Sequence, residues 1–390
     1  MSEYSGGAQF PDTLVHPMNA SNIKKLIPIA FCAAAFCFPV VYGQEYSVGS
    51  YGDFPANVYF LNHIHSDHNN DFGTLPSFSP THLKNDIDYY LSTLNAKGLF
   101  VTTDHNNDYA FDDLLKNGSV GKAGDRIIAV RSAEWGDRTH LSLIGLKVPH
   151  WNMLDRHSDY SKAPQVQAAE GAAEIRIINH PAAPGYKWPW QTWENAEAVE
   201  VWSDNFEFAS HTNSKAIGLW QEALASGRRY TAVGGADFHM NAPGKDKWKI
   251  MLFPANIVFA GDNTPEKVFE AIRGGRVSLR LRPASPKVFI RAIQSGTVYE
   301  MGANAPVSGM VNLEVILDQR DCEREDDYFI LIYTSASARI PALKIPVRHS
   351  ALSTAAFMLP VQGRDFVRAE VWRMHSERIT ALSNPVYFNY

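Results

Sequence analysis

Cysteine is nearly absent from this chain, with three in 390 residues. Cys32 and Cys37 lie in an apolar N-terminal stretch, so Cys322 alone remains beyond residue 43 and no internal disulfide can form there. A surplus of one charge sign is also lacking. Lys and Arg number 36 against 41 Asp and Glu, a net charge of -5, and no basic stripe of the kind that binds nucleic acid is present. No Gly-x-Ser-x-Gly elbow occurs, which removes the usual metal-free serine nucleophile of that type. Internal repeats and low-complexity segments are missing beyond residue 43. What is there is ordinary for a globular protein that buries a real core: 45% hydrophobic and 20% charged residues, at a length that suggests two domains.

Residues 1–43 read as an N-terminal extension and export signal. Lys24-Lys25 precede an apolar run from Leu26 to Tyr42, broken by Pro28 and Pro39. Val41-Tyr42-Gly43 supplies a small residue before Gln44, an acceptable cleavage site. The run of about 17 residues is at the short limit for spanning a bilayer, so a cleaved signal is expected and not a stable membrane anchor. Export without disulfides suits a periplasmic or secreted protein.

Six β-type runs then end on or beside a His, Asp or Glu. Residues 57–62 run into His63-Ile64-His65, 98–103 into Asp104-His105, and 126–133 into Glu134. Residues 174–179 run into His180-Pro181, 196–201 into Trp202-Ser203-Asp204, and 231–236 into Asp237-Phe238-His239. In a barrel of parallel strands all strand C-termini meet at one face, and that face carries the chemistry. Imidazoles and carboxylates converging there without cysteine describe an open metal site. Of the 13 His left after setting aside His16, six occupy these junctions if His140, six residues after Glu134, is included.

Between these runs lie helical stretches, which gives an α/β pattern over 44–283. Thr81 to Lys97 carries Leu83, Ile87, Tyr90, Leu91 and Leu94 on one stripe, with Gly98 as its stop. Ala209 to Ser226 ends at Gly227, and a third helix opens at Thr264-Pro265 and ends at Gly274-Gly275. Pro283-Ala284-Ser285-Pro286 punctuates the chain. Residues 284–390 then read as strands only (287–293, 311–317, 328–334, 342–347 and 366–374), a small antiparallel β-sandwich domain.

His63 and His65, two apart on a strand, point to one side and can meet one ion. Asp67, His68 and Asp71 add candidates in the loop that follows. With Thr-Asp-His at 103–105, Glu134 followed by His140, His180-Pro181 and Asp237-x-His239, the series resembles the PHP metallohydrolases, named for polymerase and histidinol phosphatase. The resemblance covers about residues 55–280. It implies a distorted, TIM-like seven-stranded (β/α) barrel and two or three divalent ions (Zn, Mn or Fe). It also implies that His63, His65, Glu134 and Asp237 hold one ion and that Glu134 bridges to a second on His140 and His180. His105 and His239, with an acid best matched by Asp71, hold a third or complete the second. Glu134, Asp237 and His239 are the expected catalytic groups. Gly274-Gly275-Arg276-Val277, the β-domain and the ending Ser383-Asn384-Pro385-Val386-Tyr387-Phe388 resemble one secreted branch, the carbaryl-hydrolase-like (CehA/McbA) metallohydrolases.

The implied activity is hydrolysis of a small-molecule ester, a phosphoester first, by a hydroxide bridging the ions. Carboxyl-ester or carbamate cleavage is the alternative, and a non-catalytic ligand-binding protein the third reading. Trp188 and Trp190 follow His180 closely and either stack a substrate ring or pack as a lid. Arg138 and His211, with Lys187 and Arg131, are candidates for an anionic group. The N-terminal reading is directly testable: sequencing exported material is expected to give an N-terminus at or near Gln44, and a membrane-bound form retaining Lys24-Lys25 would contradict it.

Overall fold

The computed structural model describes residues 58–69, 78–136, 139–150, 169, 171–184, 188–203, 210–239, 251–322, 324–337, 340–376 and 378–390. The expected signal lies outside them. Among the described residues no helix is long and apolar enough to cross a membrane.

The chain is mixed α/β, with more sheet than helix. The first elements are β1 (Val58–Leu61), α1 (Pro80–Thr93), β2 (Lys97–Val101), α2 (Tyr109–Lys116), β3 (Ile127–Val130), β4 (Ser132–Trp135), β5 (Leu141–Leu146) and β6 (Ala173–Ile178). They are followed by a short 3-10 turn at Trp190–Thr192, β7 (Ala198–Ser203), α3 (Ser210–Ala225), β8 (Thr231–Gly235), β9 (Ala255–Val258), α4 (Pro265–Arg273) and β10 (Val277–Arg280). Strands alone follow: β11 (Lys287–Gln294), β12 (Thr297–Glu300), β13 (Asn304–Ala305), β14 (Gly309–Asp318) and β15 (Tyr328–Thr334). The last are β16 (Leu343–Val347), β17 (Leu352–Val361), β18 (Asp365–Arg373), β19 (Arg378–Ser383) and β20 (Val386–Phe388).

Each of the six β-type runs forms strand, and the run at 126–133 divides. Its first half is β3, parallel to β2, and its second half is β4, antiparallel to β5. The break falls at Arg131, whose guanidinium is held by Asp108 and Asp112 at 2.6 Å each. Two sheets result, one with the order β4-β5-β6-β7-β8, the other running β13-β20-β18-β19-β10-β9-β1-β2-β3 with β15 and β16 branching from β18. These sheets are open, so the closed barrel expected from the resemblance is not what the ladders make. The reason is local: β4 leaves β3, and β9 and β10 run antiparallel where a parallel barrel would continue. Isolated parallel bridges, Ile64 with Phe238 and His105 with Glu134, tie the two sheets at the carboxyl ends of the strands.

Side chains sew the rest of the seam. Asn256 of β9 accepts from Gly234 N at 2.6 Å and donates to Gly234 O and Phe60 O. Asn384 accepts from Ala232 N at 2.7 Å and donates to Ala232 O and Val277 O. Both are fully buried, and each supplies the amide pattern that a missing backbone neighbour would have supplied.

Alternation along β1 to β3 feeds two cores. Val58, Phe60, Leu99, Val101 and Ile128 join Trp193, Trp220 and Phe269 on one side. Tyr59, Leu61, Phe100 and Ile127 join Leu83, Ile87 and Leu91 of α1 on the other. Helix α1 stops four residues before the expected Lys97. Asn95, at φ 48°, makes the left-handed turn, and β2 starts at once. Gly98 lies inside that strand because a Cβ there would come within 2.8 Å of Leu91 and 3.2 Å of Leu61. Its smallness serves packing, not helix termination.

The strands beyond residue 283 are mostly antiparallel, and the sheet β12-β11-β14-β17 packs on the branch holding β15 and β18. That branch is continuous with the first half of the chain, since β19 pairs β10 through Ser278–Ser383, Leu279–Leu382 and Arg280–Ala381. Arg368 of β18 is buried between Trp220 of α3 and Tyr333, with Gln221 and Glu370 accepting its N–H groups at 2.7 Å.

Asn256→Ala is expected to take the side-chain acceptor from the buried Gly234 N–H and a donor each from Gly234 O, which keeps Asn62 Nδ2 at 3.3 Å, and Phe60 O. At about 1–3 kcal/mol for an orphaned group, a loss of about 2 kcal/mol should appear in urea unfolding. A loss below about 1 kcal/mol would mean the seam does not depend on this amide.

Candidate metal centre

The strand ends bring eight of the expected residues into one cluster. His63, His65, His105, Glu134, His140, His180, Asp237 and His239 form four overlapping triads whose ligand atoms lie within 4.8 Å of one another. These are His63–His65–Asp237, His63–Glu134–His180, His105–Glu134–His140 and His65–His105–His239. Glu134 sits at the centre. Its Oε1 lies 3.1 Å from His63 Nε2, 3.1 Å from His140 Nδ1 and 3.5 Å from His180 Nε2. Its Oε2 lies 3.2 Å from His105 Nδ1 and 3.5 Å from His65 Nε2. Asp237 Oδ1 faces His63, His65 and His239 at 3.2, 3.3 and 3.2 Å.

The backbone bends to aim these groups. His63, His180 and Asp237 all have positive φ, at 63°, 27° and 45°. A non-glycine residue there is strained, and such strain collects at functional sites held by their surroundings. Here the surroundings are hydrogen bonds. Asp104 accepts from Ser66 N at 2.6 Å and Ser66 Oγ at 2.7 Å, fixing the loop after His65. Asn69 accepts from His105 N, and Asn179 donates to Glu134 Oε1 at 2.7 Å and to Ser142 Oγ at 2.8 Å.

The electrostatics are those of a buried anionic nest. Burial alone would raise Glu134, yet His63, His140 and His105 hold it well below the carboxylate range. Asp237 is likewise held well below, against burial, by His63 and His239. Burial would lower His63, but Glu134, Glu200 and Asp237 hold it well above the ordinary imidazole value. His65 is pushed well down by burial and by His239, which leaves a neutral ring suited to ligation. His140 is lowered, chiefly by burial, and His239 is raised by Asp237 despite burial. Burial lifts Asp104 to about 6 although Ser66 hydrogen-bonds to it.

A divalent cation fits this donor set. His63 Nε2, both ring nitrogens of His65 and Glu134 Oε2 are buried and make no hydrogen bond. Donors of this kind, oxygen and imidazole nitrogen around ionised carboxylates, suit Zn, Mn or Fe. Both oxygens of Glu134 face separate imidazole sets, the disposition of a bridging carboxylate.

Other expected residues fall elsewhere. Asp71, Arg138 and Lys187 lie outside the described residues, and so does the side chain of His211 in α3. His68 points to Asp113 at 2.8 Å, and Asp67 is exposed. Arg131 is spent on Asp108 and Asp112. Trp188 is a core residue at 3% exposure beside Trp193, whose indole donates to Trp188 O; this is the packing form of the tryptophan stretch. Trp190 is half-buried.

Two functional residues were not read from the sequence. Glu200 lies inside β7, where Val-Glu-Val-Trp reads as plain alternation. A bulge between Glu200 and Trp202 re-aims the strand, and Glu200 Oε2 lies 2.7 Å from His63 Nδ1. Asn179 looked like the last residue of a strand. The signal available was its place directly before His180.

A two-domain protein from Bacteroides vulgatus, described as containing a predicted PHP-like metal-dependent phosphoesterase, superposes with a TM-score of 0.42. It is 13% identical over 85% of this chain and 95% of that chain. The soluble domain of PmoD from a Methylocystis species covers 26% of this chain and 90% of that one, at 13% identity and a TM-score of 0.18. No family model and no curated protein matches the chain. Functional assignment therefore rests on the side chains of the cluster and not on these likenesses.

The pKa directions predict the behaviour of chelated protein. His63 is raised, so its stabilisation is complete below about pH 6.5 and is lost as pH rises through its folded value. Glu134 and Asp237 are depressed, so theirs is present above about pH 4.5 and is lost as pH falls through their folded values. His65 and His140 are lowered and act in the opposite sense, losing stability as pH falls below about 6.5. The His63 contribution is therefore read as a difference: the Tm advantage of chelated wild type over chelated His63→Gln should be greatest in mildly acidic solution and shrink toward alkaline pH. An advantage that is flat from about pH 6 to 9 would contradict the His63 assignment.

Proposed function

We propose that this protein is a metal-dependent hydrolase of the PHP type, acting on a phosphoester of a small molecule. One observation carries the reading: Glu134 stands between two imidazole sets, with His63, His140 and His180 around Oε1 and His65 and His105 around Oε2. When bound, ions there supply a lowered water pKa and stabilise charge on the leaving oxygen. The chain's own residues do the rest. Glu134 and Asp237 provide fixed negative charge, Asn179 orients Glu134, and Asp237 orients His239 through Nδ1. The His239 side chain, at 31% relative exposure, is the most open of the cluster and is placed to move a proton at the substrate side.

Carboxyl-ester or carbamate cleavage is compatible with the same donors and is the alternative. Export to the periplasm, the carbaryl-hydrolase-like branch and a barrel-like closure of the two sheets belong to the same proposal. The bridges at Ile64–Phe238 and His105–Glu134 support that closure.

The test is metal content and turnover together. Purified protein should carry two or three divalent ions and cleave p-nitrophenyl phosphate or its diester faster than an aryl carboxyl ester. Glu134→Gln removes charge between two cations, so at least one ion should be lost and kcat/KM should fall by about 100-fold or more. Full metal content with near-normal turnover would reject the bridging role. Turnover of the aryl ester alone would select the alternative.

A further inference from the structure

A cavity lies away from the metal cluster. It has a volume of about 730 Å³, within the range of small-molecule sites, and its described wall includes Tyr59, Lys97, Arg126, Lys287 and Asp321. Lys97 opens β2, whereas His105 follows the other end of that strand, so the cavity and the metal centre sit at opposite ends of β2. Lys287 opens β11 and Asp321 follows β14, so the last strands supply one side of the cavity.

Its inner part is built of buried polar groups. The Lys287 side chain is 8% exposed, with Nζ 2.6 Å from Asp321 and 3.7 Å from Asp318. Tyr59 is buried, and behind it the fully buried Arg280 donates to the Tyr59 hydroxyl oxygen at 3.4 Å and to Ser285 O at 2.7 Å. Arginine only donates, so the Tyr59 oxygen accepts here and its own hydrogen can turn to another acceptor. Burial holds that phenol above its ordinary range, so it keeps the hydrogen at neutral pH.

The rim adds Lys97 and the exposed Arg126, whose Nη1 reaches Asp88 at 3.2 Å. Exposed pairs of this kind hold their partners weakly. The described wall thus carries three cations against the single carboxylate of Asp321, which Lys287 already matches. The carboxyl end of α1 also borders the cavity and would favour a cation, but the N–H groups of Asn95 and Ala96 cover Ser92 O and Leu91 O. Lysine and arginine beside a hydroxyl donor are the groups that hold a phosphate.

We propose that this cavity binds a small organic phosphate, with the anionic group on Lys97, Arg126 and the Tyr59 hydroxyl and the body along Leu94 and Ala96. The site is separate from the metal centre, and bound ligand joins β2 to the last strands. The proposal does not depend on the metal-centre reading.

The test titrates the full chain, supplied with Zn2+, with phenylphosphonate, a phosphate analogue that has no ester to cleave, and follows backbone amide resonances. Those of Lys97 and Gly124, both in the cavity wall, should shift and saturate. In the Lys97→Ala/Arg126→Ala double variant the affinity read at Gly124 should fall by about 10-fold or more, as expected for lost hydrogen bonds to a charged group. Tyr59→Phe, which keeps the packing and removes the hydroxyl, should give a smaller fall, and added salt should weaken binding. Phenylphosphonate held by the metal centre would instead shift His65 and His105, and shifts confined to those residues would overturn the proposal. So would equal affinity in the double variant, or equal binding of neutral benzyl alcohol. Loss of the fold in the double variant would make the pair structural and overturn it as well. Saturating shifts at Lys97 in protein that loads no Zn2+ would support this site while sinking the metal-centre reading.

Discussion

Three carboxylates, Glu134, Asp237 and Glu200, lie buried at 4% exposure or less beside a set of imidazoles. Charge removed from water this completely must be compensated within the protein, because its desolvation would otherwise cost several kcal/mol per group. The imidazoles cannot all do it: His65 and His140 are themselves pushed toward neutrality. Much else in the structure is arranged around that imbalance. Asn179 caps one Glu134 oxygen, Ser66 ties down Asp104, and the strand ends bend to keep eight ligand candidates within reach of one another.

The bending has a cost of its own. Three residues of the cluster occupy positive φ, and each such residue costs on the order of 1–3 kcal/mol. The hydrogen bonds that hold them come from adjoining strand ends: His65 N donates to Phe238 O, and Phe238 N to His63 O. The same bonds join the two sheets, so ligand geometry and the junction between the sheets are one property, set at Ile64 and Phe238.

Much of this was legible in the sequence because strand ends and ligands coincide there. The six runs that form strands could be read from β-branched and apolar residues, and His63, His65, His105, His180, Asp237 and His239 stand at their ends. The rest depended on tertiary structure. Nothing local in 126–133 marks the split at Arg131, which Asp108 and Asp112 impose from another element. Helix α2, only eight residues long, and the strands β5, β9, β10, β17 and β19 are not among the elements read from the sequence. Glu200 resembles any polar residue on an alternating strand until the bulge turns it inward. Trp188 is next to a ligand in sequence but packs into the core. Nothing beside Asn256 or Asn384 in the sequence marks them as substitutes for backbone.

The β10–β19 ladder has a practical consequence for anyone dissecting this chain. A cut at the proline-rich turn near residue 283 would expose the edge of β10 and take Asn384 away from Ala232 and Val277. Ala232 belongs to β8, the strand that ends two residues before Asp237. The last hundred residues are therefore not a detachable appendage: a truncated front half would carry its defect straight to the ligand strand.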